Sequence, residues 1–317
     1  SYMINYRYST LGLFEKLGFN LTFAGVPYYQ DISFKLNFPK TKTGEWALIG
    51  IGGKSNITML DSKKDTADLS FGFGDRVNLV NGSQMGAIIL SNTRKYAKGY
   101  FRISAAATYQ KLFTNYDTLD VSDKPTLTYA ENNVRNKFTP HTSLTHILAK
   151  KTTLRAGIIA SYFNAHIRDS FLNDSGFMQN FRNYEGDGGI YQAYAQIKQR
   201  FSNKLTAIGG LYYQFLGINN THSLEPRVSI KEQLSSKQSL SFGYGLHSQM
   251  QPLEIYFGEV YDFQSMAYKR YNVNLGFSKS HQWVLGYNYQ FTKNMRLQTD
   301  LYYQYLFNIP VSPVHST

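Results

Sequence analysis

The 317-residue sequence contains no cysteine, which excludes disulfide bonds and thiolate metal sites. It also lacks any run approaching the roughly 18 apolar residues that a membrane-spanning helix requires. This absence excludes a helical membrane protein, but it does not exclude a β-barrel, because a membrane strand is apolar on one side only. The first ten residues, SYMINYRYST, lack the basic segment and apolar core of a signal peptide. We therefore expect the chain to be part of a longer protein.

Positive charge is abundant in the sequence, but it is not concentrated in any block. The formal net charge is +12, from 33 Lys and Arg against 21 Asp and Glu. A compact basic patch would predict nucleic-acid binding. Here the cations are spread over expected turns and over the polar positions of expected strands, so we expect no nucleic-acid partner.

Motifs that would carry catalysis or bind a metal are missing as well. The seven histidines show no HExxH spacing, the acidic residues show no EF-hand spacing, and no nucleophile, base and acid can be grouped. The segment GIGGKS (50–55) resembles a phosphate-binding loop, but Leu48 stands where that motif requires its first glycine. Neither an enzymatic activity, a cofactor nor a bound metal is therefore predicted.

Aromatic residues are plentiful, with 26 Tyr and 22 Phe, and such residues favour β-strands. Segment 282–306 shows the pattern that they follow, since successive side chains of a strand point to opposite faces. One face of this segment carries the following residues: Trp283, Leu285, Tyr287, Leu301 and Tyr303. The other face carries Arg296 and Asp300, and a polar turn at 292–294 separates the two halves. The segment is predicted to be a hairpin with one apolar and one polar face.

The same alternation recurs along the whole chain, in predicted strands of about nine to thirteen residues. Short turns alternate with long polar segments, which we interpret as loops, at 54–83, 111–136, 164–187 and 248–280. Strands of soluble sheets are usually about five or six residues long, whereas a membrane strand needs roughly nine to eleven. The sequence therefore predicts an all-β fold, an antiparallel transmembrane β-barrel segment of about 12–13 strands with its loops outside the cell.

Several segments resemble the barrel of TonB-dependent outer-membrane receptors. They are INYRYSTLGLF (4–14), YYQDISFKLNFP (28–39), GIGGKS (50–55), LEPRVSI (224–230), YGLHSQMQPLEIYF (244–257) and HQWVLGYNYQFTKNMRLQTDLYYQYLFNIPV (281–311). The resemblance covers nearly the whole chain. It implies that residues 1–317 belong to one barrel domain, part of a barrel of about 22 strands around a plug.

The resemblance also implies a function and a location. The family resides in the outer membrane of Gram-negative bacteria, where it takes up scarce nutrients such as iron chelates, cobalamin or glycans. The energy comes from the inner-membrane TonB complex, which would be the protein partner of this chain. The small-molecule or glycan substrate would be bound by the extracellular loops and the lumen.

Charged residues at polar strand positions are the candidate lumen-facing site. They are Glu225, Arg227, Lys231, Arg155, Arg296 and Asp300. Glu225, Arg227 and Lys231 are the strongest group, because residues two and four apart in a strand share a face. Two other functions remain open at this point. One is a passive porin or smaller complete barrel, and the other is a soluble β-rich surface adhesin.

Overall fold

The computed structural model describes residues 1–9, 17, 26–63, 76–262 and 264–311. Thirteen strands form one sheet in the order β1 to β11, then β14 and β15, and every pairing between neighbours is antiparallel. The strands of this sheet are β1 (Tyr2–Tyr8), β2 (Val26–Thr41), β3 (Gly44–Leu60), β4 (Val77–Tyr96), β5 (Gly99–Leu119), β6 (Pro125–Ala149), β7 (Thr152–Leu172), β8 (Met178–Arg200), β9 (Leu205–Leu216), β10 (Thr221–Gln233), β11 (Gln238–Gln249), β14 (Ser278–Gln290) and β15 (Arg296–Phe307). The predicted all-β fold with twelve or thirteen strands is confirmed.

The connection between β11 and β14 has a structure of its own. It contains a short helix, α1 (Leu253–Tyr256), and a hairpin of β12 (Val260–Asp262) with β13 (Ala267–Lys269). We call the described residues of this connection, 250–262 and 264–277, the cap segment. Among the described residues, no helix is long and apolar enough to cross a membrane.

The strand register divides the sheet into two faces. Leu285 of β14 lies opposite Leu301 of β15 and Phe242 of β11, whereas Gly286 lies opposite Asp300. We call the first set the apolar face and the second the polar face. Five members of the apolar face are between 47% and 70% exposed: Ile88, Leu90, Ile158, Leu211 and Leu301. An uncovered apolar surface of this extent requires an apolar medium or a partner.

The two ends of the sheet differ. At one end, pairs of strands are joined by tight turns, and Gly44 and Gly99 begin strands there with φ of 114° and 155°. An added Cβ at Gly44 would lie 2.6 Å from the carbonyl oxygen of Thr93, so glycine is required by both conformation and space. At the other end the connections vary from the short one between β9 and β10 to the long cap segment between β11 and β14.

Strands β4 to β8 are 20 to 25 residues long, while β9 to β11, β14 and β15 have 12 or 13. At about 3.4 Å per residue, β6 extends for about 85 Å. The predicted strand length is therefore correct for the second group and wrong for the first.

The interpretation of 111–136 and 164–187 as loops was wrong. Strands β5 and β6 pair from Gly99↔His146 up to Leu119↔Pro125, and β7 and β8 pair up to Leu172↔Met178. The polar residues of these segments lie on paired strands. Such pairing is possible because two strands that pair in water do not need apolar side chains. Polarity there marks where the strands leave the apolar band.

The other two predicted loops are partly structured. In 54–83, β3 continues to Leu60, a short 3-10 helix follows at Asp61–Lys63, and β4 begins at Val77, while 64–75 lie outside the described residues. In 248–280, α1 packs against the sheet, and Arg270, which follows the β12–β13 hairpin, donates to the carbonyl oxygen of Asn183 in β8. A buried cluster joins this segment to the polar face of β7 to β9: Phe163, Ala165, Ile167, Tyr184, Leu216, Leu253, Tyr256, Phe257 and Phe277.

Candidate functional site

Glu225 of β10 is fully buried and is surrounded by hydrogen-bond donors. Its Oε1 accepts from Gln214 Nε2 at 2.6 Å and from the hydroxyl of Ser248, and its Oε2 accepts from Arg227 Nη2 at 2.7 Å. A buried carboxylate costs several kcal/mol unless charges and hydrogen bonds compensate it. These three donors compensate the burial of the carboxylate.

The site lies where two strands separate. Strand β10 pairs with β9 along its length from Thr221, but it pairs with β11 only from Arg227 towards the turn. Above that point, Gln214 Nε2 donates to the carbonyl oxygen of Ser248 at 2.9 Å. Side chains thus replace the missing backbone ladder and attach the end of β11, just before the cap segment, to β9 and β10.

An aromatic pair adjoins this cluster. The guanidinium carbon of Arg227 lies 4.6 Å from the ring centre of Tyr212, which stacks with Tyr194 at 6.2 Å between centroids. Such a cation over an aromatic face is attracted by the ring quadrupole. Arg155 shares the row of Arg227, separated from it by Gln196 and Gly210. These six residues line a cavity of about 320 Å³.

The structure brings together some of the six predicted site residues. Glu225 and Arg227 are in direct contact, and Arg155 lies across the same cavity. Lys231 lies nearer the tight turns, in a row that continues through Ser241 and Gly286 to Asp300. All of these positions are on the polar face.

Arg296 is farther still from the cluster. It donates to Asn288 Oδ1 at 2.7 Å and to Gln298 Oε1 at 3.2 Å, and Gln298 in turn donates to Asp300 Oδ2 at 3.2 Å. Lys231, Arg296 and Asp300 are thus separate from the group around Glu225.

Sequence reasoning missed four residues of this site, namely Gln214, Ser248, Tyr194 and Tyr212. Gln214 and Tyr212 follow the period of two within β9, so alternation alone could have placed them on the polar face. Nothing in the sequence indicates that Ser248 contacts Glu225, because the pairing of β10 with β11 ends at Arg227 and does not include either residue.

A second charged cluster lies higher on the polar face. Asp169 of β7 is completely buried and forms an ion pair with Arg182 of β8. Burial raises the pKa of Asp169, and the charge of Arg182 acts against this shift. The same row continues through Glu131, which lies opposite Asp169, to Thr114, whose hydroxyl donates to Glu131 Oε2 at 3.2 Å.

The cap segment is held against this upper region by several contacts. Glu254 of α1 forms an ion pair with Arg135 of β6. The ring of Phe257 stacks on Tyr184, with 3.4 Å between centroids and 5° between planes. Asn219 Nδ2 donates to the carbonyl oxygen of Leu275 at 2.7 Å. The cap is therefore packed into the polar side of the sheet.

No protein-family model and no curated protein matches the sequence. Solved structures do match it. The siderophore receptor PirA from Acinetobacter baumannii matches with a TM-score of 0.62 over 96% of this chain, at 12% identity. The ferric yersiniabactin uptake receptor FyuA from Yersinia pestis matches at 0.60 over 89%, with 12% identity. The copper transporter OprC matches at 0.61 over 89%, with 11% identity.

The fold is that of the barrel of TonB-dependent outer-membrane receptors. The chain spans about half the length of these neighbours, with 47%, 45% and 46% of each covered. In a receptor barrel the polar face lines the lumen and the apolar face meets lipid. In such a barrel the tight turns of this sheet would correspond to the periplasmic end, and the cap segment and the far ends of β4 to β8 to the extracellular end.

Proposed function

We propose that this chain is part of the wall of an outer-membrane receptor that takes up a scarce nutrient with energy from the inner-membrane TonB complex. The observation that carries the proposal is the cap segment packed on the polar side of a receptor-type sheet. The fold is shared with proteins named as a siderophore receptor and a copper transporter. A wall with this inward cover is better suited to capturing a ligand than to free diffusion.

In this proposal residues 1–317 belong to one barrel domain. The extended tips of β4 to β8 and the cap segment form the entrance, and the substrate passes inward along the polar face. The protein binds and transports its ligand without catalysing a reaction and without a resident cofactor. The ligand belongs to the iron-chelate, cobalamin or glycan class.

Arg155, Arg227, Tyr194 and Tyr212 are the proposed contacts with the ligand or with a plug. The cavity that they line offers guanidinium groups, phenol hydroxyls and the amide of Gln196. These groups suit a ligand rich in oxygen atoms, because guanidinium and hydroxyl donors bind carboxylate, catecholate or sugar oxygens. Buried Glu225 positions Arg227 and does not itself reach the cavity.

The test uses the full-length protein in cells that are starved of iron. We expect a labelled iron chelate, cobalamin or an oligosaccharide to accumulate at low external concentration, and accumulation to stop when the TonB complex is disabled. Uptake that is proportional to concentration and independent of TonB would identify a passive porin instead. Recovery of the full-length protein in the soluble fraction without detergent would favour the adhesin.

A further inference from the structure

Two glycines lie side by side on the apolar face. Gly52 of β3 pairs with Gly86 of β4, and neither has a positive φ. A Cβ added at Gly86 would meet no described atom within 4 Å, and one added at Gly52 would approach the carbonyl oxygen of Met85 at 3.6 Å. Neither backbone conformation nor packing requires glycine here. Glycine inside a strand weakens it and often marks the close approach of a ligand.

The missing side chains leave a groove in the surface. Its volume is about 650 Å³. On the apolar face it is lined by Gly86, Ile88, Ala107, Tyr109, Phe138 and Tyr162, and by Asn136 and Asn164. Eight of its twelve lining residues belong to the face that meets lipid in a receptor barrel, and only two of these eight are asparagines, so the groove fits a hydrocarbon chain.

Two lysines lie in the next row above the groove. Lys54 and Lys111 each pair with Gln84, on opposite sides of β4. With strands about 4.8 Å apart, their backbones are about 10 Å from each other. Neither forms an ion pair with a described residue, and the Lys111 ammonium lies 5.7 Å from the ring centre of Phe113. The register from Tyr8 to Lys111 contains no acidic side chain.

The position of the lysines along the strands places them at the membrane surface. They lie about ten to twelve residues beyond the tight turns, and a membrane strand needs roughly nine to eleven residues to cross the hydrocarbon. Lys54 also lines a second cavity of about 290 Å³, together with Tyr8, Gln30 and Asn56. A cationic and hydrogen-bonding cavity thus adjoins an apolar groove at the height of the lipid headgroups.

We propose that this surface binds one phosphate-bearing lipid of the outer leaflet. The phosphate lies between the ammonium groups of Lys54 and Lys111, the rest of the headgroup occupies the cavity beside Tyr8 and Gln30, and one acyl chain lies in the groove over Gly86. The lysine ammonium groups attract lipid phosphate at a membrane surface, and burial of the acyl chain against the apolar residues of the groove adds to the binding. This inference rests on the proposed outer-membrane location.

The test measures lipid retention by the full-length protein. The protein is reconstituted in phosphatidylcholine vesicles that contain phosphatidic acid, extracted with mild detergent and analysed by native mass spectrometry. We expect phosphatidic acid to be retained in preference to phosphatidylcholine. The double variant Lys54→Gln/Lys111→Gln should lower that preference by roughly tenfold or more, because each cation at an anionic surface contributes to binding. Gly86→Leu fills the groove and should also reduce retention.

Two matched variants control for general effects on the surface. Lys279→Gln removes a lysine at the extracellular end of β14, and Gly209→Leu fills another position on the apolar face where an added Cβ meets no described atom within 4 Å. Both should retain lipid like the unaltered protein, and added inorganic phosphate should not displace the lipid.

Equal retention of the two lipids, or equal losses in the control variants, would overturn the lipid site while leaving the receptor proposal intact. If the protein instead fails to insert into vesicles as a heat-resistant barrel, the proposed function fails together with the lipid site.

Discussion

Two regions of the molecule are built from the same kind of strand but are stabilised differently. We call β9 to β11, β14 and β15 the wall. We call the ends of β4 to β8 that lie away from the tight turns, together with the cap segment, the upper region. In β15 of the wall, every side chain but the last is exposed, so this strand is held by its backbone ladder to β14 and, in the proposed barrel, by lipid on its apolar face. In the upper region, the sheet and the cap bury a cluster of apolar side chains between them. The wall is therefore stabilised by its surroundings, whereas the upper region is stabilised by its own apolar core.

The largest expected effect is in the upper region. Phe257→Ala removes a ring that is 4% exposed and stacks on Tyr184. Loss of a buried Phe costs about 3–5 kcal/mol. Here this loss reduces the free energy that holds the cap segment against the sheet. Hydrogen exchange should rise across 250–277 and stay unchanged in β14 and β15. The exposed neighbour Ile255 provides the control, since Ile255→Ala should leave exchange unaffected. Faster exchange throughout the wall would show that the two regions fold as one unit.

The wall should respond to charge rather than to lost volume. Leu285→Arg places a cation on the apolar face and should cost about 2–4 kcal/mol if the position is near the middle of the bilayer. Val284→Arg, one residue away on the polar face, should cost far less because that face meets water. Urea unfolding of the full-length protein in vesicles measures both. Equal costs for the two variants would contradict the assignment of the faces.

The boundary between the regions depends on Glu225. Glu225→Ala removes the acceptor of the Arg227 guanidinium and of the Ser248 hydroxyl, and one of the acceptors of Gln214 Nε2. We expect a cost of about 2–3 kcal/mol, since truncating a buried partner leaves donors unsatisfied. Arg227 is partly exposed and regains water, which limits the loss. Glu225→Gln keeps one acceptor oxygen and should cost less. The free energy of unfolding and protease cleavage within 250–277 provide the two measurements.

The smallest effect is expected in the β12–β13 hairpin at the tip of the cap. The pKa of Asp262 is lowered from 3.8 to about 2 by hydrogen bonds from the Lys269 ammonium, the Ser265 hydroxyl and the backbone N–H of Gln264. Since the folded pKa lies below the unfolded value, the contribution of this carboxylate is complete above about pH 4 and is lost as pH falls towards 2. A fluorescent label in the hairpin should report this transition, which Asp262→Asn should abolish. A transition that is unchanged in the variant would assign it to another group.

Much of the fold was predictable from the residues. The period of two in segment 282–306 predicted a hairpin with Leu285 and Leu301 on one face, and these residues are direct partners. Glu225 and Arg227 are two residues apart, which predicted that their side chains share one face of the sheet, and the two side chains are hydrogen-bonded. Both relations are local, so the chain itself encodes them.

The errors came from using polarity to locate strand ends. Asn133, Asp169 and Arg182 look like loop residues in the sequence, yet they lie in long strands. Whether a polar segment is paired depends on the neighbouring strand, which is not visible in the segment itself. The inward packing of Phe257 on Tyr184 likewise joins residues that are distant along the chain.

The sequence by itself determined the strand type, the two faces and the tight turns, because side-chain alternation and the glycines at 44 and 99 act over a few residues. Only the tertiary structure decided how far β4 to β8 extend, where the cap segment lies, and which side chains surround Glu225. Gln214 meets Ser248 across 34 residues of chain. Contacts over such separations follow from which strands pair and where pairing stops, and that is a property of the assembled sheet.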